Sequence, residues 1–248
     1  MSSIVEPRLY EYSYGFRLGR STHNAVLQAQ AHVSAGKRWV VGIGSSSVNH
    51  GVLISRIALL VSDQRVLRLI RRYLQAGMMQ GGLVSVRREG TSQGGLLSPL
   101  VSNTFQDEPD KEPERRGHAC CRYADDNKTY VQSRRAGGRV MESITRFLER
   151  QLKLKVNREK SAVNRPWRRR SLSYSMTFHV RPRLKVAPES VKRLKGRVKE
   201  LLRRGRGWSL KRTAGELAPP VRGWGDCFRF AQVKNVFEEL DGRIRRRL

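Results

Sequence analysis

The sequence predicts an α+β fold in two parts, a mixed portion over residues 1–165 and a helical portion over 166–248. Three observations carry this. Aromatic and β-branched residues flank an Asp125-Asp126-Asn127 turn in the run Cys121-Arg122-Tyr123-Ala124-Asp125-Asp126-Asn127-Lys128-Thr129-Tyr130-Val131, the pattern of two short strands. Apolar residues recur at helical spacing elsewhere. The character of the chain then changes around Arg165-Pro166-Trp167-Arg168-Arg169-Arg170, where a domain boundary is placed.

Taken in order, Tyr12-Ser13-Tyr14-Gly15-Phe16-Arg17-Leu18-Gly19-Arg20-Ser21 is a loop rich in Gly and Arg. Ser21 or Thr22 can cap a helix running through Val26, Ala29 and Val33 to Gly36. Trp39-Val40-Val41-Gly42-Ile43-Gly44 reads as a buried strand leading into Ser45-Ser46-Ser47. A helix after Ser62 carries Val66, Ile70, Tyr73 and Leu74 on one face and ends at Gly77, with Asp63 as an anion in its first turn. Between Gly81 and Gly95 the chain is glycine-rich, with Leu83, Val84 and Val86 on a strand. Beyond the hairpin, Val140, Ile144, Phe147, Leu148 and Leu152 mark an amphipathic helix. From the boundary on, helices are expected. Pro188 opens one with Val191, Leu194, Val198 and Leu201, stopped at Gly205, and Val236, Leu240 and Ile244 mark the last.

Lys and Arg number 50 against 21 Asp and Glu, a formal net charge of +29 spread along 248 residues. That excess is the footprint of a polyanion binder, so nucleic acid is the expected partner. No long apolar run and no signal peptide is present, which argues against a membrane and for a cytoplasmic, nucleic-acid-associated protein. Cys120, Cys121 and Cys227 give no disulfide framework and no Cys-x-x-Cys spacing; His118 lies near, but a fourth zinc ligand is not evident. All three read as reduced thiols.

Asp125 and Asp126 stand out in so basic a chain. A hairpin holds both carboxylates at its tip, where they repel unless a cation lies between them. A divalent metal suits that place, and two-metal sites use such carboxylates to clamp the attacking and leaving oxygens in phosphoryl transfer. The plainer alternative is a surface turn that favours Asp.

Four segments together resemble group II intron reverse transcriptase/maturases. Gly90-Thr91-Ser92-Gln93-Gly94-Gly95-Leu96-Leu97-Ser98-Pro99 resembles their Gly-Thr-Pro-Gln-Gly-Gly motif, and Tyr123-Ala124-Asp125-Asp126 their Tyr-Ala-Asp-Asp hairpin. Ser13-Tyr14-Gly15-Phe16-Arg17 with Gly19-Arg20-Ser21 is similar to the Ser-Tyr-Gly-Phe-Arg-Pro-Gly-Arg loop, and Leu154 to Ser161 to the segment that closes the palm. The region from Lys185 onward, with Arg222-Gly223-Trp224 and Phe228-Arg229, resembles the thumb, or maturase, domain. The resemblance implies a polymerase palm, an antiparallel sheet with helices, followed by a helical thumb. It implies RNA-directed DNA synthesis from a DNA primer with deoxynucleotide triphosphates and Mg²⁺ held by aspartates, two of which match Asp125 and Asp126. Gln93, Gly94, Gly95 and Tyr123 match the nucleotide and primer–template pocket, and Lys160 a basic position near the incoming phosphates. It further implies intron RNA and template RNA as partners, with Arg168, Arg169, Lys192, Lys195, Arg203 and Arg204 as phosphate contacts and Trp167 or Trp208 available for stacking.

The pattern also breaks. Gly42 and Gly44 occupy both acidic positions of the family's first motif, and about four residues are missing before Val48-Asn49-His50 by comparison. Losing such a carboxylate is expected to slow polymerisation at least ~10²–10³-fold; Asp63 and Glu89 lack the spacing to replace it. The chain opens close to where the family has finished its fingers, so an N-terminally truncated, degenerate copy of a mobile element's enzyme is expected. Ser92 and Leu18 stand where proline is usual, and Pro109 and Pro113 are expected to interrupt a helix, at roughly 3 kcal/mol each. Alternatives to an impaired polymerase are a non-catalytic RNA-binding maturase, a non-functional remnant and a basic structural protein.

Overall fold

The computed structural model of the chain describes residues 9–45, 49–76, 78–80, 83–85, 98–154 and 156–247. The chain divides into two compact units, residues 1–165 and 166–248.

The first unit is built on a four-stranded antiparallel sheet. Its strands β1 (Trp39–Ser45), β4 (Ala119–Tyr123), β5 (Asp126–Val131) and β6 (Val156–Asn164) lie in the order β4-β5-β1-β6. Between them in sequence run β2 (Met78–Gln80) and β3 (Leu83–Ser85), a separate two-stranded pair. Helix α1 (Thr22–Ser34) is capped by Ser21, whose side chain accepts from the Asn24 amide while Asn24 returns the bond. On the sheet face beside α1, Cys121 Sγ donates to Ala25 O at 3.2 Å and the His32 and Tyr130 rings sit 5.4 Å apart. The opposite face carries the core. There Val41 and Val131 meet Leu53, Ile54 and Ile57 of α2 (His50–Ala58), Leu67, Ile70 and Leu74 of α3 (Gln64–Gln75), and Val140, Ile144 and Leu148 of α5 (Arg134–Gln151). Side chains alternate across a strand, so adjacent Cys120 and Cys121 are both buried, on opposite faces. Gly137 lets α5 close on the sheet, because a Cβ there would lie 2.5 Å from Val163 Cγ1.

Several sequence expectations are corrected here. Helix α2 has no counterpart in the periodicity reading, although His50, Leu53, Ile54 and Ile57 recur along it at helical spacing. In α3 the inward face is Leu67, Ile70 and Leu74, with Val66 and Tyr73 only half-buried, and Asp63 is the N-cap, accepting from the Arg65 amide at 2.7 Å. Helix α4 (Ser98–Arg115) runs unbroken past Pro109 and Pro113. Proline's fixed φ is helical, so the local cost is a lost donor and a crowded carbonyl. The two residues are four apart, so the donor Pro113 lacks is the one Pro109's carbonyl would have met; Pro113 itself is buried.

The second unit is not wholly helical. A short 3₁₀ turn (Pro166–Arg168) precedes a hairpin of β7 (Tyr174–Met176) and β8 (Leu184–Val186). Both strands are too short for an alternating pattern to emerge. Then come α6 (Pro188–Arg204), with Pro at its first turn, α7 (Leu210–Cys227), which contains Pro219 and Pro220, and α8 (Asn235–Arg245). Leu194, Val198 and Leu201 of α6 pack with Leu217 and Leu240. Trp224 stacks obliquely on Phe228 and Phe237 at 4.8 and 5.3 Å. Among the described residues no helix is long and apolar enough to cross a membrane.

Ile144 is buried between α5 and the sheet. Ile144→Ala is expected to lower stability by about 2–5 kcal/mol in urea unfolding followed by circular dichroism.

Candidate active site

Tyr123 pairs with Asp126 across β4 and β5, so the turn between them is Ala124-Asp125. A two-residue turn demands a positive φ that glycine usually supplies. Here Ala124 takes it, at 53°. The expected Asp-Asp-Asn turn is therefore corrected: Asp125 is exposed on the turn, while Asp126 and Asn127 already belong to β5.

The turn is held from behind by Arg122. Its guanidinium is 1% exposed and donates to four partners: Asp110 Oδ2 at 2.5 Å, Asn103 Oδ1 at 3.0 Å, Ser13 Oγ at 2.5 Å and Ala124 O at 2.8 Å. Asn127 Nδ2 donates to the other Asp110 oxygen at 2.9 Å, and Asn103 Nδ2 to Gly15 O at 3.0 Å. Burial pushes the Asp110 carboxyl up to about 7, against the opposite pull of Arg122. The Ser-Tyr-Gly-Phe-Arg loop lies along the same strand: Arg122 N donates to Tyr12 O and Tyr14 N to Arg122 O. Arg17 Nη1 folds that loop on itself, donating to Tyr10 O at 2.7 Å and Ser13 O at 3.1 Å. Gly15 is required, since a Cβ there would lie 2.2 Å from Ala124 N.

In front, the carboxylates do not act as an unpaired couple. Lys128 Nζ lies 2.5 Å from Asp126 Oδ2, with the lysine side chain 5% exposed and that of Asp126 40%. Cross-strand register sets Gly42 of β1 directly beside Lys128. Gly44 lies against Lys160 of β6, where a Cβ on Gly44 would meet Lys160 Cβ at 2.7 Å. Lys160 itself is exposed and its amide donates to Asn157 Oδ1 at 3.1 Å. Tyr123 is half-buried at the strand end. Gln93, Gly94, Gly95 and Glu89 lie outside the described residues.

A two-metal centre needs a cluster of hard oxygen donors. Asp125 is exposed, Asp126 is ion-paired, and β1 presents glycines where carboxylates would stand. Among the described residues no group of three or more His, Cys, Asp or Glu is placed to hold a metal ion. The donor set among the described residues does not fit a pair of Mg²⁺ ions.

The basic residues of the second unit are unequal. Lys192, Arg203 and Arg168 are exposed, and Arg169 is half-buried. Lys195 is tied to Glu239 at 2.5 Å and Arg204 to Glu200 at 2.6 Å. Lys192, Lys199 and Arg203 line one exposed stripe of α6, on which the sequence reading had missed Lys199. Trp208 packs on Gly205, with the Arg212 guanidinium 4.4 Å from its ring centre, which leaves less ring open for stacking than expected.

Residues 1–192 match the family described as reverse transcriptase (RNA-dependent DNA polymerase), and residues 191–248 match the group II intron maturase-specific domain. The chain belongs to the reverse transcriptase family. Among curated proteins it is 29% identical over 205 residues to Protein YkfC of Escherichia coli, covering 66% of this chain and 54% of that protein. It is 36% identical over 115 residues to the group II intron-encoded protein LtrA of Lactococcus lactis, covering 45% of this chain and 19% of LtrA. The chain thus spans little more than half of one relative and a fifth of the other. In fold this reverse transcriptase chain is similar to apo telomerase from Candida tropicalis (TM-score 0.55, 10% identity, covering 88% of this chain and 46% of that one). It is also similar to telomerase from Candida albicans in complex with a fragment of telomeric RNA (TM-score 0.54, 14% identity, covering 94% and 45%).

Arg122→Met leaves the Asp110 carboxylate buried without its cation. It is expected to cost about 3–5 kcal/mol in chemical denaturation. Gly15→Ala forces the loop off the turn and is expected to cost about 1–3 kcal/mol in the same assay.

Proposed function

We propose that this protein acts through RNA, as a maturase-type RNA-binding member of the reverse transcriptase family whose polymerase chemistry is impaired. The first unit is read as the palm and the second as the thumb, or maturase, domain. Intron RNA is the partner suggested by the maturase-specific match and by the relative LtrA. The observation that carries the reading is the exposed stripe Lys192, Lys199 and Arg203 on α6 in a chain of net charge +29. Phosphate contacts of this kind set affinity and register without reading sequence. Arg168 of the 3₁₀ turn and Arg169 just after it add charge, and Lys195 and Arg204 contribute where RNA displaces their carboxylate partners.

Template RNA, a DNA primer and deoxynucleotide triphosphates are the substrates that the family's chemistry calls for, and Mg²⁺ its cofactor. Asp125 and Asp126 are the residues offered to that chemistry, with Tyr123, Gln93, Gly94, Gly95 and Lys160 beside the nucleotide and template. With Gly42 and Gly44 in place of carboxylates, transfer is expected at least ~10²–10³-fold below that of a complete site.

Filter binding to a structured group II intron RNA between low and moderate salt tests the reading. Affinity should fall steeply with salt. The triple variant Lys192→Ala, Lys199→Ala, Arg203→Ala should flatten the logarithmic slope by about 2–3. Asp125→Ala should bind as the parent does. Salt-indifferent binding, or loss of binding with Asp125→Ala, would sink the reading.

A further inference from the structure

We infer that Lys128 is the resident cation of this site: its ammonium group neutralises Asp126 and holds the place that a divalent ion at that carboxylate would need. The inference rests on reading Asp125 and Asp126 as the polymerase hairpin, and it goes beyond the missing carboxylates of β1.

Lysine rarely sits in the middle of a sheet with its side chain almost wholly covered. Lys128 does, between Cys121 of β4 and Gly42 of β1, its neighbours in register. Residues two apart on a strand share a face, so Lys128 and Asp126 project on the same side of β5 and meet at 2.5 Å. Opposite positions on paired strands bring side chains to about 4.5–5.5 Å at Cβ. A carboxylate at position 42 would therefore have Lys128 as its immediate neighbour. Glycine there offers no carboxylate to compete with Asp126 for the ammonium. The burial of the lysine makes the pair structural: once Asp126 is neutralised, a covered ammonium loses compensating charge. A hydrated divalent ion approaching Asp126 must displace that ammonium or share the carboxylate with it, and close like charges repel strongly in a partly buried site.

Mn²⁺ titration followed by electron paramagnetic resonance tests this without any catalytic readout. The parent chain should show no saturable site dependent on Asp126. Lys128→Met, which keeps the length and apolar stem of the side chain, should gain Mn²⁺ affinity by at least about tenfold. The double variant Lys128→Met, Asp126→Asn should lose that gain. If Lys128→Met binds Mn²⁺ no better than the parent, lysine is not what occupies the site. The inference then fails, while the impairment argued from Gly42 and Gly44 stands. If the parent already binds Mn²⁺ through Asp126, both fail. A thermal melt supplies a test that does not need the methionine variant to fold. Asp126→Asn should lower Tm by about 2–4 °C, and Asp125→Asn should leave it unchanged. Equal shifts from the two would contradict an internal ion pair at Asp126.

Discussion

The buried guanidinium of Arg122 is the constraint on which the rest of the site depends. One planar group with five donors joins three separate pieces of chain: the Ser13 loop, Asn103 and Asp110 on α4, and the Ala124 carbonyl at the turn. Such a group is costly to bury unless every hydrogen bond is met, and here the partners come from positions up to 109 residues apart in the chain. The positive φ of Ala124 is maintained by this scaffold, not by the residue's own preference. The loop that approaches the turn must have glycine at position 15, because backbone packs on backbone there. Hairpin, loop and helix are thereby fixed as one object, and Asp125 is presented to solvent at its edge.

The front of the same hairpin follows a different electrostatic logic. Paired carboxylates need positive charge nearby, and a protein can supply it from a metal or from its own side chains. In this chain the sheet supplies Lys128, and the neighbouring strand has glycines where acids would compete for it. Gly44 and Lys160 are matched in the same way: the Lys160 side chain fills the space a larger residue at 44 would require. Behind the turn Arg122 is bonded to Asp110, Asn103, Ser13 and Ala124, while among the described residues no group of three or more His, Cys, Asp or Glu is placed to hold a metal ion in front of it. On the proposed reading, RNA binding would call on the shape and charge of the protein and not on two-metal chemistry.

Much of this was legible in the sequence where the signal is local. Helix α1 announces itself through the Ser21 cap and its apolar spacing, α6 through Pro188 and Gly205, and the β4–β5 hairpin through its aromatic and β-branched flanks. The family motifs carried the α+β fold and the position of the aspartates. What escaped is what depends on distant partners. Asp110 looks like one more charge on a proline-containing helix until Arg122 and Asn127 are seen to bond both of its oxygens. Lys128 looks like a solvated lysine on a strand, since no local pattern tells which lysine will be covered. The β7–β8 hairpin was too short for a period to show, and α2 was missed although His50, Leu53, Ile54 and Ile57 carry one. Lys195 looked like a free cation because its partner Glu239 could be assigned only once the helices were packed, whereas the Arg204–Glu200 pair, four residues apart on one helix, was readable from spacing and was missed.

The most direct test of the account is Mg²⁺-dependent primer extension on an RNA template by the unsubstituted chain. A site with Gly42 and Gly44 on β1 and Lys128 on Asp126 should extend the primer no faster than the Asp125→Ala variant run beside it. Sustained extension that disappears in that variant would show a working polymerase, and the account of an impaired, RNA-binding member of the family would be wrong.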